Sequence, residues 1–124
     1  MIDRPFAALA AIFAAIGVVA GAFGAHALRA QVDPASLQAW HTAVEYQLLH
    51  ALALLVIATR ANALRFASLT SWLFATGIAL FSGSLYAIVL GAPHLLGAMT
   101  PVGGLAFIAG WCTLAWGFLR RAPP

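Results

Sequence analysis

The polar side chains of this sequence crowd into one stretch of an otherwise apolar chain: Gln38, Trp40, His41, Thr42, Glu45, Tyr46, Gln47 and His50. Such a set can bind protons, hydrogen-bond a polar ligand or ligate a metal. On a helix turning about 100° per residue, His41 and Glu45 lie about 40° apart and Gln38 about 20° beyond Glu45, so the three share a face. Tyr46 and His50 form a second i, i+4 pair, displaced by about 100° to 140° from the first. His41-x-x-x-Glu45 has the one-face spacing that metal ligands use, and His26 is a third candidate. Neither an H-E-x-x-H run nor a cysteine ligand accompanies them, so no metal is assigned. Two facing histidines also suit a haem in a helical bundle, but no attachment motif is present and no cofactor is assigned. Ser82 and Ser84 are weak nucleophiles by context, because a serine in an apolar helix ordinarily bonds back to the preceding turn. Gly97 is isolated and Gly103-Gly104 lies inside an apolar run, so no glycine loop cradles phosphate. The balance of these motifs is against an enzyme.

The elements that must position these residues follow from composition. Of 124 residues, 64% are hydrophobic and 7% charged, against about 25% charged in a soluble domain. So little charge cannot coat a soluble fold, and the chain reads as an integral membrane protein. Its net charge of +3 and pI near 10 raise a nucleic-acid partner, which placement excludes: the arginines stand singly or in one pair between apolar runs and form no basic face. The lone Cys112 rules out an internal disulfide or a cysteine metal cluster. The length fits one domain, and no internal repeat is visible.

Four apolar stretches, residues 6–28, 34–59, 66–91 and 101–119, are each long enough to approach or exceed the ~20 residues that cross a hydrocarbon core of about 30 Å. Asp33-Pro34 and Thr100-Pro101 read as helix starts, a capping side chain followed by proline. Ala25-His26-Ala27 imitates a signal cleavage site, yet Asp3 nearly cancels the leader charge of Arg4, and an uncleaved first span is expected. Four spans return the chain to the side on which it began. Arg4, Arg60, Arg65, Arg120 and Arg121 then share one side against Arg29 on the other, which by the positive-inside rule makes both termini cytoplasmic. The expectation is an all-α, up-down-up-down four-helix bundle in a bacterial inner membrane.

Small residues three or four apart mark helix contact faces in lipid. Gly17 and Gly21, with Ala25 a turn further, do so on the first span, and Gly103, Ala106 and Gly110 on the last. On a common depth scale, Glu45 falls about 7 Å below the outer boundary and His50 near the midplane. A carboxylate there must be paired, neutralised or wetted, so Glu45 is expected to face the bundle or a water-filled pocket. His26, Ser82, Tyr86, Thr100, Gly103 and Gly104 reach the same outer half. An outer pocket formed by His26, His41, Glu45, Tyr46, His50, Ser82, Tyr86 and Thr100 is the candidate site.

Several segments together resemble a known family. These are Gly21 to Leu28 (GAFGAHAL), Tyr46 with His50 to Leu55 (HALALL), Leu80 to Tyr86 (LFSGSLY), and Thr100 to Gly104 (TPVGG) followed by Gly110-Trp111. The chain is similar over nearly its whole length to the small four-span proteins grouped as domain of unknown function 423, some called transmembrane protein 256. The resemblance implies a four-helix membrane protein without an assigned biochemical role, and it supplies no catalytic residues. Two functions are compatible: binding or transport of a small polar or amphipathic ligand, such as a lipid, in the outer pocket; or a structural or accessory subunit docking on copies of itself or on another membrane protein. Membrane lipids are expected partners in either case.

Overall fold

The apolar runs fold as helices whose ends are set by local chemistry. The computed structural model describes residues 1–120. Arg121, expected beside Arg120 at the membrane edge, and the proline-ended tail lie outside the described residues. Helix α1 (Arg4–His26) starts where the Asp3 side chain accepts from the Phe6 amide at 3.4 Å and proline occupies the first turn. Helix α2 (Pro34–Thr59) starts on Asp33, whose Oδ1 accepts from the Ser36 amide at 2.8 Å. Helix α3 (Ala67–Val89) is α-helical to Gly77, widens into a π turn over Ile78–Ser82 and returns to α-helix from Gly83. A 3-10 turn over His94–Ala98 leads into helix α4 (Met99–Leu119). Among the described residues there are thus four helices long and apolar enough to cross a membrane.

The cap on α2 makes a pH prediction. Bonds to Ser36 hold the Asp33 carboxyl below its usual range. A depressed carboxyl contributes stability that is present above its unfolded-state pKa and is lost as pH falls through the folded value. Asp33→Asn keeps a capping oxygen but cannot titrate. The difference in melting temperature between the native protein and this variant is expected to shrink as pH drops from 6 towards 3, read by thermal unfolding in detergent; a constant difference would show that the charge contributes nothing.

Three contacts place the chain ends together. The Asp3 amide donates to the Ala58 carbonyl at 2.9 Å, Phe6 meets Trp72 edge-on at 5.2 Å, and Gly117 packs against the Arg65 carbonyl. The start of α1, the α2–α3 connection and the end of α4 therefore form one terminal end. At the far end Gly24 packs on Trp40 and Ser84 bonds Thr100. Adjacent helices alternate in direction. Helices α2 and α3 form the middle of the bundle, with α1 laid mainly along α2 and α4 mainly along α3. Ala51, Ile57, Phe74, Ile78 and Phe107 make the principal core. Large apolar side chains such as Val18, Val19, Leu52, Val56, Leu105 and Ile108 point outward, a surface suited to acyl chains and not to water.

Close approach is bought with glycine. A Cβ at Gly17 would lie 2.7 Å from Leu48, and one at Gly24 would lie 2.5 Å from the Trp40 ring, so α1 rides on α2 along Gly17, Gly21 and Gly24. The third member of that row is Gly24; Ala25, named by spacing alone, is exposed. On α4, Gly110 faces Phe74 and Gly103 lies directly on the backbone of Phe81, inside the π turn of α3. At the terminal end Phe66 adopts a left-handed backbone with φ 66°, a conformation that costs a side-chain-bearing residue about 1–2 kcal/mol. Any side chain at Gly117 would strike the neighbouring Arg65 carbonyl, so glycine there admits this turn.

Candidate functional site

The polar residues of the far half of the bundle are joined by hydrogen bonds that run across helices. Gln47, 2% exposed, is the node. Its Nε2 donates to the Phe13 carbonyl of α1 at 2.8 Å, and its Oε1 accepts from the Tyr86 hydroxyl of α3 at 2.7 Å. The Trp40 indole, stacked obliquely on Tyr86, donates to the Ala20 carbonyl at 2.8 Å, one and a half to two turns along α1. Ser82, fully buried at the end of the π turn, donates to the Ala43 carbonyl at 2.7 Å. Ser84 shares a 2.6 Å bond with Thr100. These bonds pin α1, α3 and α4 to fixed heights along the bundle, a specificity that apolar packing in lipid does not supply by itself.

His50 sits one turn below Gln47 in an aromatic cage, stacked on Phe107 with centroids 3.6 Å apart and edge-on to Phe74. The Trp111 indole N–H donates to His50 Nε2 at 3.0 Å. An indole nitrogen only donates, so Nε2 carries a lone pair. Nδ1, 2.7 Å from the Tyr46 carbonyl, therefore carries the hydrogen and donates it. Both ring nitrogens are engaged and the ring is a neutral, fixed tautomer. A metal or haem ligated at His50 would have to displace one of these two partners.

The eight candidate residues thus separate into two groups. His50, Ser82, Tyr86 and Thr100 are drawn into internal bonds, and Tyr46 lays its ring on Phe81 and Phe107 while remaining partly exposed. His26 and Glu45 are exposed and His41 is half-buried; they take no part in the network. The expectation that Glu45 faces the other helices is corrected: it lies on the outer face of α2, in line with Gln38, Leu49, Leu52 and Val56. Side chains on a helix lean towards its N-terminus, so Glu45 leans towards the far end of the bundle.

Among the described residues no buried side-chain nitrogen or oxygen lacks a partner, and no three His, Cys, Asp or Glu side chains are grouped to hold a metal. Gln47, Trp40, Trp111 and Ser84 were not among the candidates, although they carry much of the bonding. The available signal was chemical: a buried indole or amide must find an acceptor or donor.

Comparison with known proteins finds relatives named as membrane proteins. Residues 20–104 match the family model described as "Protein of unknown function (DUF423)". The UPF0382 membrane protein YwdK of Bacillus subtilis is 48% identical, the match covering 87% of this chain and 90% of that protein. A UPF0382 membrane protein of Staphylococcus haemolyticus is 40% identical over 88% of this chain and 90% of its own length. One from Haemophilus influenzae is 41% identical over 83% and 84%. No solved structure matches.

Proposed function

The chain belongs to the DUF423 family of membrane proteins, and from that premise we propose that it acts as a structural module of a membrane assembly, self-associating through the outer face of α2. One observation carries this reading. Among the described residues, buried polar groups are matched within the chain, whereas Glu45 stands exposed on the outward face of α2, in line with the apolar Leu49, Leu52 and Val56. A charged group on a lipid-facing surface costs several kcal/mol unless it reaches water or a partner. Gln38, Thr42 and Glu45 of a facing copy provide donors and acceptors for such a contact, with Leu49, Leu52 and Val56 below them to pack.

The module is oriented with its terminal end towards the cytoplasm, since among the described residues Arg4, Arg60, Arg65 and Arg120 gather there and Arg29 alone lies at the far end. A bacterial inner membrane suits this bias, and the relatives named above come from bacteria. A ligand pocket in the far half is the less supported alternative, because His50, Ser82, Tyr86 and Thr100, half of the groups that would line it, are already engaged in bonds within the chain.

The test uses disulfide trapping in native membranes. In a Cys112→Ala background, Leu49→Cys is expected to form a cross-linked dimer, while Ile12→Cys, equally outward on α1, is not. Adding Glu45→Ala is expected to reduce the Leu49→Cys dimer severalfold. Equal trapping at both positions, or none, would overturn the assembly reading.

A further inference from the structure

At the terminal end, α3 and α4 leave between them a shallow groove of about 370 Å³ lined by Phe66, Leu69, Cys112, Thr113 and Trp116. That volume is at the low end of small-molecule sites, roughly 300–1,000 Å³. Its walls are almost wholly apolar. The one hydroxyl, on Thr113, is turned to the Gly110 carbonyl at 2.8 Å and to Thr70 at 3.0 Å, leaving the groove without a polar group to orient a water-soluble ligand. The two aromatic walls each carry a cation. The Arg65 guanidinium lies over the Phe66 ring at 5.2 Å from its centroid, and that of Arg120 over the Trp116 ring at 4.5 Å. Both arginines are exposed at the membrane edge.

An apolar slot that opens at the headgroup level between two guanidiniums matches one chemistry: an acyl chain lying in the slot, joined to an anion held at its mouth. We propose that this groove is a binding site for an anionic diacyl phospholipid, its phosphate between Arg65 and Arg120 and one acyl chain against Phe66, Leu69, Cys112 and Trp116. Guanidinium forks suit phosphate oxygens, and cation–π contact holds each fork at the rim. The left-handed backbone of Phe66 serves the same end, since it turns Arg65 and Phe66 onto α4 beside Gly117. The site lies at the opposite end of the bundle from the polar network and does not depend on self-association.

Native mass spectrometry of the full chain released from detergent micelles tests the assignment. With equimolar phosphatidylglycerol and phosphatidylcholine of matched chains, phosphatidylglycerol adducts are expected to predominate on the order of tenfold, given two interfacial arginines. Arg65→Gln combined with Arg120→Gln is expected to bring the ratio close to one, and Arg29→Gln, at the far end, to leave it unchanged. Glycerol phosphate, the headgroup without chains, is expected not to compete. Cys112 offers a second readout: its alkylation by a small maleimide is expected to slow when phosphatidylglycerol is added and not when phosphatidylcholine is. No preference in the native protein, a preference that survives the double variant, or competition by glycerol phosphate would each overturn the proposal.

Discussion

Gly103→Ala is expected to destabilise the protein by about 3 kcal/mol, and Gly104→Ala, one residue along, to change stability by no more than about 1 kcal/mol. The two substitutions add the same methyl group to the same helix. At Gly103 that methyl would land on the backbone nitrogen and Cα of Phe81, within the π turn of α3, where no side-chain rotation can relieve it. The two helices must separate, and the Ser84–Thr100 bond that joins them must lengthen. At Gly104 the nearest atom of a neighbouring element is the Phe81 ring edge at 3.9 Å, ordinary contact, and the gain in helix propensity offsets any adjustment. Unfolding by added denaturing detergent in mixed micelles, followed by loss of helical signal, checks the pair. Equal effects at the two positions would mean that the helices do not meet backbone to backbone at Gly103.

Gln47→Leu is expected to cost about 2 kcal/mol. Two interhelical bonds disappear, and such bonds in membranes average roughly 0.6 kcal/mol each; the Tyr86 hydroxyl is also left without its acceptor, which adds about 1 kcal/mol or more. The sign of the coupling is the sharper expectation. Once Gln47 is gone, Tyr86→Phe removes a stranded hydroxyl instead of a bonded one, so the double variant is expected to be more stable than the sum of the singles predicts. A double-mutant cycle by the same unfolding assay measures this directly. Strict additivity would contradict the 2.7 Å bond between the two side chains.

How much of this was legible in the sequence depends on which property is asked for. The four spans were, because crossing a bilayer sets a minimum apolar length, and Asp33-Pro34 marked the start of α2 because capping is local. The glycines of α1 were legible as a pattern, but spacing named Ala25 where packing uses Gly24; from Gly17 a seven-residue step returns to within about 20° of the same face, whereas an eight-residue step is about 80° off it. Glu45 was expected to face the bundle or a water-filled pocket, and it lies on the outer face of α2. A helical wheel fixes the angles between residues on one helix but not the direction in which its neighbours lie, and the polar Gln47, only two positions on, turned out to be the buried one. Trp111 as the donor to His50 and Gln47 as the bridge to Phe13 need partners far away in sequence, which no local rule supplies. The π turn was invisible for the same reason: it exists where Gly103 lets α4 press on Phe81, and Ser82 reaches Ala43 from its end.

The central claim is that the buried polar groups of the far half, Gln47, His50, Ser82 and Ser84, with the half-buried Tyr86, are bonded within a dry interior and do not line a wet pocket. Water-edited solid-state NMR of the isotopically labelled protein in bilayers tests it most directly, with the exposed side-chain amide of Gln31, in the connection between α1 and α2, as the internal standard. The account predicts strong magnetisation transfer from water to Gln31 and little to the Gln47 side-chain amide or the His50 Nδ1–H. Transfer to Gln47 as fast as to Gln31 would contradict it.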